Sequence, residues 1–202
     1  MGDATDRGKS PHVVVIAGPN GAGKSTSAPA VLRGALRVTE FVNADVIARG
    51  LSAFQPERVA IGAGKIMLQR LHQLAQQRES FAFETTLASR SFAPWIRSLR
   101  EAGYDFHLLF FWLPTPEMAI ARVRERVRSG GHDVPPETVE RRYYGGIRNF
   151  FELYQPLAKT WKVYNNADQS GARLIVSGGI GRPERIYRAK EWKAIIASNQ
   201  IA

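Results

Sequence analysis

The hydrophobic residues of this 202-residue chain gather in short dense runs separated by longer mixed stretches. The run "HVVVIA", residues 12–17, is almost continuous and β-branched and stops at a glycine, which predicts a buried first strand. A helix is expected to open near Lys24, after the glycine-rich turn. Val38 to Val42 reads as a short second strand, and the following "NAD" sets Asp45 just past its C-terminal end. "SFAFETT" gives a third strand ending at Glu84. "FHLLFFWL", Phe106 to Leu113, is the most hydrophobic strand and is stopped by Pro114. Two shorter strands are expected at Lys162 to Tyr164 and Arg173 to Val176. Pro56 to Gln77, rich in Ala, Met, Leu and Gln with proline at its start, predicts a long helix, and Ser91 to Glu101 a shorter one. Strands alternating with helices predict an α/β fold, a mainly parallel central sheet flanked by helices.

Residues 116–150 break this rhythm. Two polar, arginine-rich helical stretches flank "SGGHDVPP", with Gly130 and Gly131 placed to end the first and Pro135 or Pro136 to start the second. The expectation is a helical hairpin that protrudes as a lid from a single domain spanning 1–202. The tail from Pro183 reads as a short connector into a terminal helix.

A hydrophobic content of 44% is enough for a sizeable core in a chain of this length. The 28 Lys and Arg against 18 Asp and Glu leave a formal charge of +10, which favours an anionic partner without naming it. Zero cysteines exclude disulfides, zinc thiolate sites and thiol catalysis. No run approaches the 18 apolar residues of a membrane span, and "MGDATDRGKSPH" lacks the apolar centre of a secretory signal, so a soluble cytoplasmic protein is expected.

The chemistry starts at "GPNGAGKST", Gly18, Pro19, Asn20, Gly21, Ala22, Gly23, Lys24, Ser25 and Thr26. This is the pattern G-x-x-x-x-G-K-S between a strand and a helix. Its glycines let backbone amides curl around phosphate oxygens, its lysine reaches the β and γ phosphates, and Ser25 is placed to ligate Mg2+ beside bound ATP. The helix N-terminus adds its positive end to the same site. Asp45 and Glu84 follow predicted strands and should lie along the same edge of the sheet. Asp45 is the candidate base for an acceptor hydroxyl; a helix cap ahead of "VIARG" is its plainer role, and the two are compatible. Glu84 is suited to binding that hydroxyl or arranging Mg2+, or else to pairing with a nearby arginine. Thr85 offers a further hydroxyl. Arg122, Arg124, Arg126 and Arg128 alternate in a way that spreads them around a helix, so they cannot all reach one ligand. Arg128, next to the glycine turn, and Arg141, opening "RRYY", suit contact with a transferring phosphoryl group. His132 sits in the turn between them, where it either touches substrate or bonds to the loop. Asn165 and Asn166 either border the adenine or form a turn.

Taken together, "VVVIAGPNGAGKST", "FVNAD", "FAFETTLASR", "RVRERVRSGGHDVPPETVERRYYGGIRNF" and "VYNNAD" resemble, in order and spacing, the zeta toxin family of P-loop kinases, particularly its short stand-alone members often labelled predicted ABC-type ATPases. The resemblance covers most of the chain. It implies a P-loop NTPase fold and transfer of the ATP γ-phosphate to a sugar hydroxyl, with UDP-N-acetylglucosamine the substrate of the well-known toxins. It implies Lys24 and Ser25 at the nucleotide and magnesium positions, Asp45 as the base and Glu84 as a sugar-contacting acid. Arg128 and Arg141 then fall on the paired phosphate-contacting arginines, with Arg126 and Arg142 the neighbouring register. The kinship also suggests a separate antitoxin protein as partner.

Rival functions are weaker. The chain lacks an LSGGQ-type signature and a hydrophobic strand ending in Asp-Glu, against an ABC ATPase, and lacks N-K-x-D, against a GTPase. A kinase for another metabolite or nucleotide shares every feature above except acceptor specificity. A basic, nucleotide-regulated RNA-binding protein is the non-enzyme alternative, motivated by the +10 charge.

Overall fold

The computed structural model describes residues 10–32, 38–131, 133–168 and 171–201. Among the described residues, seven strands form one sheet in the order β2-β3-β1-β4-β5-β6-β7. They are β1 (His12–Ala17), β2 (Glu40–Val42), β3 (Phe81–Thr85), β4 (Asp105–Trp112), β5 (Thr160–Asn165), β6 (Arg173–Gly179) and β7 (Arg182–Ile186). The first five pair in parallel, as continuous apolar runs buried on both faces require. Val13 to Ala17 and Phe81 to Phe83 are wholly buried at its centre.

The helices are α1 (Lys24–Val31), α2 (Ala44–Leu51), α3 (Ala60–Gln76), α4 (Phe92–Glu101), α5 (Pro116–Arg128), α6 (Pro136–Asn149) and α7 (Ala189–Ile201). The long helix expected from Pro56 begins as a 3-10 turn, Pro56–Val59, before α3 proper. Its buried side, Ala63, Met67, Leu71 and Leu74, follows the three-to-four spacing of an amphipathic helix.

The sheet departs from the expectation at its far edge. β6 and β7 run antiparallel to their neighbours, and β7 occupies the segment read as a connector. "RPERI" carries no alternation because every residue of this edge strand is exposed. Proline is compatible with an edge, where its missing N–H need not join a ladder.

The 116–150 segment is rooted in the body of the protein. Val139, Tyr143, Gly146, Ile147 and Asn149 of α6 are buried, and the Tyr143 hydroxyl donates to the Leu113 carbonyl at 2.8 Å. Its outer faces, with Arg124, Arg128, Glu140 and Arg141, and the end around Ser129, Gly130 and Pro135 to Glu137 are open to solvent. Asn149 makes the deepest attachment: its Nδ2 donates to the carbonyls of Leu87 and Ala88 at 2.7 and 3.2 Å. Leu87 is fully buried yet has φ +58°, a left-handed conformation that costs a leucine on the order of 1–3 kcal/mol. Asn149 therefore clamps a strained turn that directly follows β3. Asn149→Ala is expected to lower unfolding stability by about 1–3 kcal/mol, because the buried Leu87 carbonyl and the partly buried Ala88 carbonyl lose their donor. Urea denaturation with an unchanged m-value checks this.

Candidate active site

The order of the sheet explains where the site forms. β1 lies between β3 and β4, so the chain leaves β1 where the strand order reverses, the place where open α/β sheets bind ligands. Residues 18–25 turn there into α1. Gly18 has φ +138°, and a Cβ on it would lie 2.2 Å from the Phe111 carbonyl oxygen, so only glycine lets the loop pass over β4. Gly23 has φ +71°, and a Cβ there would strike Asn166 Nδ2 at 2.5 Å. That amide donates to the Ala22 carbonyl at 2.7 Å, bracing the loop from the end of β5. Arg122 of α5 braces the same corner, donating to the carbonyls of Asn166 and Ala167, each at 2.7 Å.

Lys24 is 6% exposed. Its Nζ donates to the Pro19 carbonyl at 2.9 Å and lies 3.5 Å from Glu84 Oε1. Burial pushes this ammonium below the usual lysine range, while Glu84 and then Asp45 pull it back up. An ammonium has three donors, and its surroundings supply one backbone oxygen and one carboxylate. A phosphate chain supplies more oxygens than that.

Glu84 arrives by strand register: it pairs with Ile16, one residue before the end of β1, and its carboxylate reaches over the loop. Ser25 Oγ donates to Glu84 Oε2 at 2.7 Å, and Asn43 Nδ2 donates to the same oxygen at 2.7 Å. Asn43 works at both ends. Its Oδ1 accepts from the backbone of Asp45 and Val46 at 2.8 and 3.3 Å, capping α2. The cap ahead of "VIARG" is thus Asn43, which leaves the Asp45 carboxylate in the first turn of α2 to line the cavity.

That cavity has a volume of about 430 Å3 and brings together Asn20, Gly21, Gly23, Lys24, Ser25, Thr26, Asp45, Arg49, Glu84, Arg122 and Arg126. Its cations, Lys24, Arg49, Arg122 and Arg126, outnumber Asp45 and Glu84, the balance a polyphosphate needs. The Ser25 hydroxyl beside the Glu84 carboxylate is a hard oxygen pair of the kind Mg2+ prefers.

Beyond the loop itself, four expected site residues do not line the cavity, Asn166, which braces the loop, and three others. Thr85 Oγ1 accepts from Leu87 N at 3.2 Å, so it closes the turn after β3 and does not line the cavity. Arg128 is 77% exposed and pairs with Glu125 at 3.1 Å, and Arg141 is exposed. Their neighbours Arg126 and Arg142 lie nearer the loop, one lining the cavity and the other reaching Asn20. Arg122 and Arg126, four apart, share the cavity face of α5, from which Arg128 is turned away. On α6, Tyr143 points into the core, Arg141 lies nearly opposite it, and Arg142 flanks it to donate to Asn20 Oδ1 at 3.3 Å. Arg142 is held below the usual arginine range by burial and by Arg141, with Asp45 opposing. His132 lies outside the described residues. Asn43 and Arg49 join the site beyond the residues that the sequence pattern points to; Asn immediately before a helix is the one available signal, for Asn43.

A family model described as an AAA domain, AAA_33, matches residues 13–143, from β1 to the middle of α6. The chain belongs to that family. The matched part of this AAA domain holds the loop, Asn43, Asp45, Glu84, Arg126 and Arg142, and stops short of Asn149 and Asn166. A curated Haemophilus influenzae protein of uncharacterized function is 29% identical over 130 residues, 64% of this chain and 91% of that protein. Among solved structures, the AAA domain is similar to a chain of the AvrRxo1-ORF1:AvrRxo1-ORF2 complex with sulphate ions (TM-score 0.75, 17% identity, 93% of this chain). The chain spans 64% of that protein's length, and the same complex has been crystallised with ATP. It is also similar to a chain of the PezAT chromosomal toxin-antitoxin system of Streptococcus pneumoniae (TM-score 0.62, 14% identity, 96% of this chain and 88% of that one). At these identities the likeness establishes the P-loop fold. Among the described residues no helix is long and apolar enough to cross a membrane.

Proposed function

We propose that this protein is a small-molecule kinase that transfers the γ-phosphate of ATP to a hydroxyl group. The observation that carries the reading is the 430 Å3 cavity that the buried Lys24 of the phosphate loop shares with Asp45, a carboxylate not used as a helix cap. Residues 18–26 would cradle the phosphates, and Ser25 with Glu84 would hold Mg2+, whose role is to neutralise charge on the β and γ oxygens. Asp45 would accept the hydroxyl proton. Arg126 and Arg142 would stabilise the transferring group from the two arms of the hairpin. Glu84, already committed to Ser25, Asn43 and Lys24, suits the metal side of the site better than a direct sugar contact.

The resemblance to zeta toxins makes UDP-N-acetylglucosamine the first acceptor to test. Val46, Leu51, Phe54 and Ile61 are exposed apolar side chains, candidates for contact with a separate antitoxin-like protein. The deciding experiment is Mg2+-dependent transfer from γ-labelled ATP to a panel of nucleotide sugars, with the product identified by mass. A phosphorylated sugar nucleotide supports the reading. Confirmed ATP binding with no transfer to this panel or to nucleosides and simple sugars, together with ATP-sensitive RNA retention, would favour an RNA-binding role instead.

The arginine register gives its own test. Arg126→Ala and Arg142→Ala are each expected to lower kcat by about 10²- to 10³-fold. Arg128→Ala and Arg141→Ala should stay within about three-fold of wild type, since an exposed surface charge contributes little. Steady-state kinetics on the four variants decides between the registers.

A further inference from the structure

At the opposite end of the sheet from the phosphate loop, His12 on β1 and Asp105 and His107 on β4 converge. β1 and β4 are adjacent and parallel, with His12 opposite Asp105 and Val14 opposite His107. His12 Nδ1 lies 3.1 Å from His107 Nε2, and ligand atoms of all three residues fall within 4.8 Å of one another. Two nitrogens bound to one ion at about 2.1 Å, with an angle a little above 90°, are separated by roughly that distance. His107 is buried, and its Nδ1 lies 2.7 Å from Thr160 Oγ1 on β5, which fixes the ring and, with Nδ1 as donor, turns the Nε2 lone pair toward His12. His107 also lines a groove of about 670 Å3 together with Lys159, Thr160 and Arg182.

We propose that His12 Nδ1, His107 Nε2 and the Asp105 carboxylate bind one imidazole-preferring divalent cation, Zn2+ being the type, with a remaining coordination position open to the groove. The surroundings narrow the ion. Lys159 pairs with Asp105, and Arg182 stands nearby. Mg2+ and Ca2+ depend on carboxylates and waters, so a single lysine-paired aspartate cannot hold them. Neutral imidazoles suit Zn2+, Ni2+ or Co2+. With His107 Nδ1 facing Thr160, the His12 ring binds through Nδ1 and carries its proton on Nε2. The site clamps β1 to β4 and is independent of the kinase reading.

The test uses tag-free full-length protein titrated with Co2+, read by its visible absorption, and with Zn2+ by equilibrium dialysis in excess Mg2+. One ion per chain is expected. His12→Ala and Asp105→Asn should each weaken binding by about ten-fold or more, the usual effect of disturbing such a set. Lys159→Gln should tighten it several-fold, because the lysine no longer competes for Asp105; adventitious surface binding would not respond in that direction. His12 is only partly buried, so its alanine variant is expected to fold, and circular dichroism verifies this. Absence of Co2+ absorption in the wild type, or affinity unchanged in His12→Ala, overturns the proposal. Binding abolished by Ser25→Ala but kept by His12→Ala also overturns it, by assigning the ion to the phosphate loop.

Discussion

Lys24→Ala is expected to abolish nucleotide binding and phosphoryl transfer together. The ammonium is almost fully buried, and its loop partner, the Pro19 carbonyl, fixes the direction from which it meets a ligand. Each charge-assisted hydrogen bond to phosphate contributes about 1.5–3 kcal/mol, so loss of two or more weakens ATP binding by at least about 100-fold. The substitution also leaves Glu84 without the cation 3.5 Å from it, placing an unopposed carboxylate against incoming phosphates. Both effects act in the same direction. Isothermal titration with ATP and Mg2+ measures the first, and γ-phosphate transfer should fall by about 10³-fold or more. Folding should be little affected, because the alanine also removes the cost of burying the charge; circular dichroism and a urea titration separate that case from simple unfolding. A variant that keeps wild-type ATP affinity would remove the phosphate loop from the reading.

The loop, the strands and the two carboxylates were legible for a common reason. A buried parallel strand must be a continuous apolar run, so β1, β3 and β4 announce themselves, and chemistry placed just after their ends is then located by topology. The arginines were not legible in the same way. Alternating Arg122, Arg124, Arg126 and Arg128 carry no sign of which face meets the loop, because the apolar positions that set the rotation of α5, Ala119 and Val123, are sparse. On α6 the deciding residues are Tyr143 and Ile147, and whether a tyrosine is buried depends on its hydroxyl finding a partner, here the distant Leu113 carbonyl. β7 was hidden because an exposed edge strand needs no apolar face. The bond from Asn43 to Glu84 spans 41 residues and exists only because β2 and β3 are neighbours, with Val42 opposite Phe83. Likewise the brace of Asn166 on Ala22 joins residues 144 apart, a contact that local pattern does not encode.

Asp45→Asn is expected to separate binding from chemistry. Asn43 supplies the cap of α2, so the Asp45 side chain is not needed to start the helix, and asparagine preserves its shape and volume. The carboxylate sits in the first turn of α2 and shares the cavity with Lys24, Arg49 and Arg126. An ionised carboxylate there accepts a proton; an amide oxygen orients a hydroxyl but does not take its proton. The expected result is ATP affinity within about three-fold of wild type and kcat lowered by about 10²- to 10⁴-fold, the usual range for removing a positioned base. Nucleotide titration and single-turnover transfer on the same preparation check both halves. The combination matters because the competing roles leave different traces. If Asp45 holds the metal, Mg2+-dependent ATP affinity falls along with kcat, and raising Mg2+ restores part of the activity. If it only supports the fold, stability falls while kcat per folded molecule stays near wild type. Retained ATP binding with lost transfer, insensitive to added Mg2+, is the trace left by a base acting on the acceptor.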